Sequence, residues 1–343
     1  MSQTIKQQIG QMIIAGFKGL QINPKDPVVR DIQQFNIGGV ILYDEEVSDP
    51  NERWRNIRST EQTKSLIQNL KKVDESLLIC IDQEGGNVQR LKEEYGFLPC
   101  PSWNEIGSHN DEKVTRKFAA SISNTLNELG INVNLAPVVD LEVNGDAYQS
   151  KESRCFSSDP SIIADHSQIF VEAHQNKNVI CTLKHFPGLG SAQDDTHEGF
   201  TDISNTWSER EIEPFKQLID QGKVDLIMVG HSFHREIDPD WPASMSEKTV
   251  NGLLRTELNY DGVVICDDPM MGAISNQYDF ETAMGQIINA SVDLLCFGNN
   301  LVYDRDIVPR TIETIFGLIE RGHIEESRIH ESVERIQILK QKF

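Results

Sequence analysis

The chain has 343 residues, 38% of them hydrophobic and 25% charged, a balance that excludes intrinsic disorder and suffices for a core without disulfides. Its 53 acidic against 32 basic residues leave a net charge of −21. That charge argues against nucleic acid and anionic membrane as partners, because both bind through positive surface.

The N-terminal stretch MSQTIKQQIGQMIIAGF has one short apolar run and neither the apolar core nor the cleavage site of a signal peptide. No run approaches the ~18 apolar residues of a membrane span. A cytoplasmic protein is therefore expected. Beyond the run MIIAGF (12–17) come GGVILY (38–43) and LLICI (77–81). An amphipathic stretch over 113–129 repeats Val114, Phe118, Ile122, Leu126 and Leu129 at helical steps. Then INVNLA (131–136), a helix over 161–175, VICTL (179–183), a helix over 209–221 and DLIMVG (225–230) follow. The rest reads as a helix over 246–258, GVVIC (262–266), a helix over 280–290, DLLCF (293–297) and a helix over 307–320. The last segment, about 325–343, predicts one more helix packed outside.

The apolar runs are rich in Val, Ile and Leu and do not alternate with polar residues, as strands buried on both faces require. Strands alternating with helices imply βαβ units, and eight of them favour a closed (β/α)8 barrel, an α/β fold, over an open sheet. No linker or repeat divides the chain, so 1–343 is expected to form a single catalytic domain. No G-x-G-x-x-G follows a strand, which speaks against a dinucleotide cofactor. The six cysteines include no C-x-x-C pair, and four (Cys80, Cys181, Cys266, Cys296) lie in strands, where cysteine acts as a small hydrophobe in a reducing compartment.

Polar residues collect just past the strands, at the end where a barrel builds its active site. Asp82, Gln83 and Glu84 follow the third run, with Gly85-Gly86 and then Arg90. Asp140 follows the fourth, with Arg154 on a long loop, and Lys184 and His185 follow the fifth. His231 and Ser232, then Asp267 and Asp268, then Asn299 and Asn300 follow the last three. Each has a structural alternative: Asp267 or Asp268 as a helix cap, Lys184-His185 as a buried pair, Gly85-Gly86 as a tight turn. The segment 187–200 is rich in small residues, suggesting a mobile loop, yet carries Asp194-Asp195-Thr196-His197-Glu198. An Asp two residues from a His can fix its tautomer and raise its basicity, although a solvated acidic loop would also fit.

These residues carry a resemblance. KHFPGLGSAQDDTH (184–197) resembles the K-H-F-P-G-H-G…D-[ST]-H signature of glycoside hydrolase family 3 β-N-acetylhexosaminidases. IDQEGGNVQR (81–90), NLAPVVDLE (134–142), SRCFSSDP (153–160), GHSFHREIDPDWPASMS (230–246), YDGVVICDDPMMGAI (260–274) and NASVDLLCFGNN (289–300) match in the family's order. The match covers nearly the whole chain and is similar to the short, one-domain form associated with peptidoglycan recycling. It implies a retaining exo-hydrolase that removes terminal non-reducing β-linked GlcNAc from muropeptides or chitin-derived oligosaccharides through a glycosyl-aspartate. By position it implies Asp267 as nucleophile, His197 as acid/base and Asp195 as its partner. It places Asp82, Arg90, Arg154, Lys184 and His185 on the sugar's hydroxyl and N-acetyl groups, with His231 facing the site. Two positions depart from the family pattern: Leu189 stands where it has His, and Asn87 where a basic residue often follows Gly-Gly. Leu189 is expected to loosen the acid/base loop or alter the aglycone side.

Neither a metal nor an organic cofactor is expected, and a monomer is expected rather than an oligomer. Three alternatives stand: a metal-dependent hydrolase using His185, His231, His234 and Asp267, although no H-x-H or H-E-x-x-H pattern is present; a β-N-acetylglucosaminide phosphorylase; and a catalytically weakened GlcNAc-binding barrel.

Overall fold

In the computed structural model, which describes residues 3–49 and 51–343, each of the eight apolar runs contains a strand. They are β1 (Ile13–Gly16), β2 (Gly39–Leu42), β3 (Leu78–Ile81), β4 (Val133–Asn134), β5 (Ile180–Phe186), β6 (Leu226–Val229), β7 (Val263–Cys266) and β8 (Leu294–Phe297). Each is parallel to its neighbours in chain order, and Ile13 opposite Leu295 with Ala15 opposite Phe297 closes the ring. Every residue of these strands is buried, which is why their sequences show no alternation. The result is a single-domain (β/α)8 barrel. Gly39 marks a close approach in its wall, where a Cβ would lie 2.6 Å from Leu78.

The surrounding helices begin at side-chain caps: Ser59 accepts from the Gln62 amide, Asp111 from Lys113, Asp159 from Ser161 and Asp279 from Thr282. Helices at Ile5–Gln11, Pro27–Phe35 and Thr60–Val73 are additions to the sequence expectation. The helix expected over 246–258 is present at Lys248–Glu257 but winds wide, as a π-helix. Among the described residues no helix is long and apolar enough to cross a membrane. The six cysteines are free thiols.

Two strands differ from expectation for local reasons. β4 is only two residues long because side-chain amides do much of its pairing. Asn132 accepts from the Ile79 amide at 2.7 Å and donates to the Leu77 carbonyl, while Asn134 accepts from the Gln83 amide. β5 runs on to Phe186, so Lys184 and His185 sit on the strand and not beyond it. The Gly85-Gly86 step, with φ of 106° and 60°, turns a short hairpin between Gln83–Gly85 and Val88–Gln89. A Cβ on Gly86 would meet Ser102 at 2.5 Å, so glycine is required there for space as well as for its dihedral angle.

The final helix, Glu326–Lys340, lies across the N-terminal end of the barrel. Arg328 and Ser332 each reach buried Asp293, just before β8, at 2.8 Å, and Lys340 donates to Gln11, just before β1, at 3.0 Å. The floor is thus closed by ion pairs and side-chain packing. The opposite end stays open.

Candidate active site

At the C-terminal end of the strands an open cavity of about 250 Å³ is lined by Asp82, Glu84, Arg90, Arg154, Lys184, His185, Asp195, His197, Asp267 and Asp268, among others. Nearly all the residues selected from the sequence therefore meet in one place.

Its floor is a charge network. The Lys184 ammonium lies 3.0 Å from Asp82 and 2.6 Å from Glu84. Arg90 reaches Asp82 at 3.3 Å, and Arg154 grips both oxygens of Glu84 at 2.9 and 2.8 Å. Burial would raise the pKa of Asp82 and Glu84, but Lys184 with Arg90 and Arg154 hold both below the ordinary carboxylate range. Lys184, despite its burial, is held above the ordinary lysine value by Glu84 and Asp82. The floor is therefore fully ionised, with donors and acceptors fixed for a polyhydroxylated ligand. His185 is fixed from two sides: Nδ1–H donates to Asp140 at 2.7 Å, and Nε2 accepts from Arg154 at 3.3 Å. Asp140 also accepts from the His185 and Leu189 amides.

Glu84 and Asp140 were visible in the sequence as polar residues past strands, but nothing there distinguished them from caps. Their partners lie 70 and 45 residues away. The Lys184–His185 pair is thus both buried and part of the site.

Asp267 and Asp268 follow β7 and differ sharply. Burial works to raise Asp267, but His231, His185 and His197 around it keep it below the ordinary range. Asp268 is pushed up to about 7, by burial and by the neighbouring Asp267. Asp268 accepts from the Met270 and Gly298 amides at 2.9 and 3.0 Å, tying its turn to the end of β8; it does not cap the next helix, Gly272–Ser275, whose N-cap is Met271. His231 is buried outside the cavity lining: Nε2–H donates to the Asp268 carbonyl at 3.0 Å, and Nδ1 accepts from the Ser244 hydroxyl at 2.7 Å. Burial pulls its pKa down, and through these two bonds it braces the turn that carries the two aspartates. This differs from a direct place in the pocket.

The segment 187–200 is held from below and from the side. The Ser191 amide donates to Glu211 at 3.2 Å, a buried carboxyl that burial pushes up to about 7. Leu189 is buried against Ala192 and Ile203 in a small apolar cluster, with Trp207 beside it. Leu189 thus packs into the base of the loop and also lines the cavity, where the second expectation, an altered aglycone side, stays open. The backbone carbonyls of His197 and Thr196 accept from the Gly272 and Ala273 amides at 3.0 and 3.1 Å. The loop carrying His197 is in this way docked onto the segment just after Asp267. The His197 side chain is 50% exposed, and its Nδ1 meets Asp195 at 2.6 Å. Asn87, the other departure from the family pattern, donates to Glu152 at 3.1 Å.

The set His185, His231, His234 and Asp267 does not assemble as metal ligands. Both ring nitrogens of His185 and His231 are engaged, and His234 packs edge-on to Trp207, 4.8 Å away. Among the described residues no three His, Cys, Asp or Glu side chains converge as such a group.

Residues 4–339 match the family profile described as the glycosyl hydrolase family 3 N-terminal domain. A β-hexosaminidase of Hydrogenovibrio crunogenus is 30% identical over 316 residues, covering 86% of this chain and 83% of that protein. A β-hexosaminidase of Xanthomonas euvesicatoria pv. vesicatoria is 29% identical over 325 residues, covering 91% and 92%. Among solved structures, a glycoside hydrolase family 3 β-N-acetylglucosaminidase from Paenibacillus sp. superposes with a TM-score of 0.89 at 31% identity, over 99% of this chain and 63% of that longer one.

Proposed function

This chain belongs to glycosyl hydrolase family 3, and on that premise we propose that it is a retaining exo-β-N-acetylglucosaminidase acting on terminal β-linked GlcNAc. Asp267 is the nucleophile, His197 the acid/base, and Asp195 the group that positions His197. The carrying observation is that Asp267 and His197 line one cavity, with the His197 loop hydrogen-bonded to the segment that follows Asp267.

Retaining hydrolysis needs a nucleophile on one face of the anomeric carbon and a proton donor at the leaving oxygen. Asp267, ionised and set at the end of a strand, attacks C1. His197 gives its Nε2 proton to the glycosidic oxygen as the C1–O bond breaks, leaving a glycosyl-aspartate ester. Neutral His197 then takes a proton from water, whose oxygen attacks C1 and frees Asp267. The Asp82, Glu84, Arg90, Arg154, Lys184 and His185 network supplies the donors and acceptors for the sugar's hydroxyl and N-acetyl groups.

An imidazole acid/base also suits phosphorolysis. The engagement of the lining cations Arg90, Arg154 and Lys184 by Asp82 and Glu84 favours water over a phosphate nucleophile. The test is nitrophenol release from a nitrophenyl N-acetyl-β-glucosaminide, with and without phosphate. Expected are turnover, free GlcNAc as product, and strong losses in Asp267→Ala and His197→Ala. GlcNAc-1-phosphate as the product would instead establish the phosphorylase, and tight binding without turnover the sugar-binding barrel.

A further inference from the structure

The charges that line the cavity are not balanced from floor to mouth. At the floor three cations share two carboxylates: Lys184 meets Asp82 and Glu84, Arg90 meets Asp82, and Arg154 meets Glu84. Asp195, Asp267 and Glu152 also line the cavity; Asp195 meets His197, and among the described residues no lysine or arginine lies within ion-pair distance of any of the three. Glu152 is half-buried at the mouth, where its carboxylate takes a hydrogen bond from the Asn87 amide; among the described residues no cation lies within ion-pair distance of it. Lys151, its neighbour in sequence, is exposed and does not line the cavity. Two aliphatic residues of the lining are exposed: Val47 is 63% and Leu301 44% accessible. The Val47 amide donates to Asn300, next to Leu301, at 3.2 Å, which holds the two side chains on one rim.

A leaving group must occupy this mouth when the terminal sugar fills the floor. Exposed aliphatic side chains suit the C–H face of a pyranose ring, and the Asn87 and Glu152 side chains suit its hydroxyls. A carboxylate on the leaving sugar would meet Glu152, which no lysine or arginine offsets, beside an Asp195–His197 pair whose carboxylate is already in place. We infer that the aglycone site selects a neutral sugar, as in a chito-oligosaccharide, and disfavours one bearing a carboxylate, such as a 3-O-lactyl sugar of the cell wall. This deepens the proposed function and rests on it.

The test separates charge from bulk. Rates of GlcNAc release are compared for three disaccharides: GlcNAc-β-1,4-GlcNAc, GlcNAc-β-1,4-N-acetylmuramic acid and the methyl ester of the latter. One added negative charge a few ångströms from a carboxylate in a partly aqueous mouth corresponds to about a tenfold effect. The acid is expected to show kcat/KM about tenfold or more below its own ester at low salt, and the gap should narrow in concentrated NaCl. Glu152→Gln and Asn87→Lys should each shrink the acid-to-ester gap several-fold, whatever they do to absolute rates. Equal kcat/KM for acid and ester, or faster cleavage of the acid, would overturn the inference while leaving the hydrolase reading intact. Failure of the nitrophenyl glycoside and all three disaccharides to turn over would remove the underlying reading, and the inference with it.

Discussion

The Oδ1 atom of Asp195 accepts twice from His197, from Nδ1 at 2.6 Å and from the backbone amide at 2.9 Å. One carboxylate therefore sets both the tautomer of the ring and the turn that presents it. With Nδ1–H committed, Nε2 is the nitrogen left to exchange a proton across the cavity. The arrangement also keeps the Asp195 carboxylate against the ring through both proton transfers.

His197→Ala should lower kcat/KM roughly 10²–10⁴-fold on a disaccharide, the usual worth of a general acid/base. The loss should be much smaller on a dinitrophenyl glycoside, whose leaving group needs no proton. Asp195→Asn should follow the same pattern with a smaller loss. Paired steady-state kinetics on the two substrates check this; equal losses on both would mean the two residues only hold the loop.

Asp267→Asn should abolish turnover, while Asp268→Asn should retain a measurable fraction of it, because Asp268 serves mainly as an acceptor for two backbone amides. The pH profile separates them further. Asp267, held low, stays ionised through mildly acidic pH, whereas Asp268 is uncharged until pH rises through about 7. Above that point a second negative charge appears beside Asp267. Wild-type kcat should show a step near pH 7 that Asp268→Asn removes; a profile unchanged by that substitution would contradict the assignment.

Glu84 faces two cations, and its side chain is only 2% exposed. Glu84→Ala leaves Arg154 and Lys184 buried with too few acceptors, a change that typically costs about 3–5 kcal/mol. Denaturant unfolding at pH 7 should show a loss of this size. A near-neutral substitution would show that the network is more hydrated than its geometry indicates.

Glu211 lies beneath the loop that carries His197 with one carboxyl oxygen lacking a partner, and burial pushes its pKa up to about 7. An acid raised on folding binds its proton more tightly in the native state, so stability is highest below its unfolded pKa and declines as pH rises towards 7. The full decline is on the order of 3 kcal/mol. Glu211→Gln should therefore raise Tm relative to wild type at pH 8 and not at pH 4.5. The same Tm difference at both pH values would show that the carboxyl does not titrate there.

The barrel was legible because its strands are buried on both faces and so stand out as unbroken apolar runs. Several departures from that reading involve polar side chains taking backbone roles or partners distant in sequence. Asn132 and Asn134 shorten β4 by pairing through their amides, which no apolar pattern can show. Asp267, His197 and Asp195 could be named because local motifs flank them. Glu84, Asp140 and Glu211 could not be singled out, because their importance lies in Arg154, His185 and Ser191, which meet them only in three dimensions. Leu189 shows the same limit. As a departure from a motif it suggests a looser loop or an altered aglycone side, and its packing against Ala192 and Ile203 is visible only in three dimensions.

The most direct measurement is to trap the glycosyl-enzyme with a fluorinated GlcNAc donor carrying a good leaving group, then map the adduct by peptide mass spectrometry. The account predicts one added sugar on the peptide containing Asp267 and Asp268, fragmented to Asp267 and absent in Asp267→Asn. A label on Asp268 or elsewhere, or turnover with inversion at the anomeric carbon and no adduct, would contradict it.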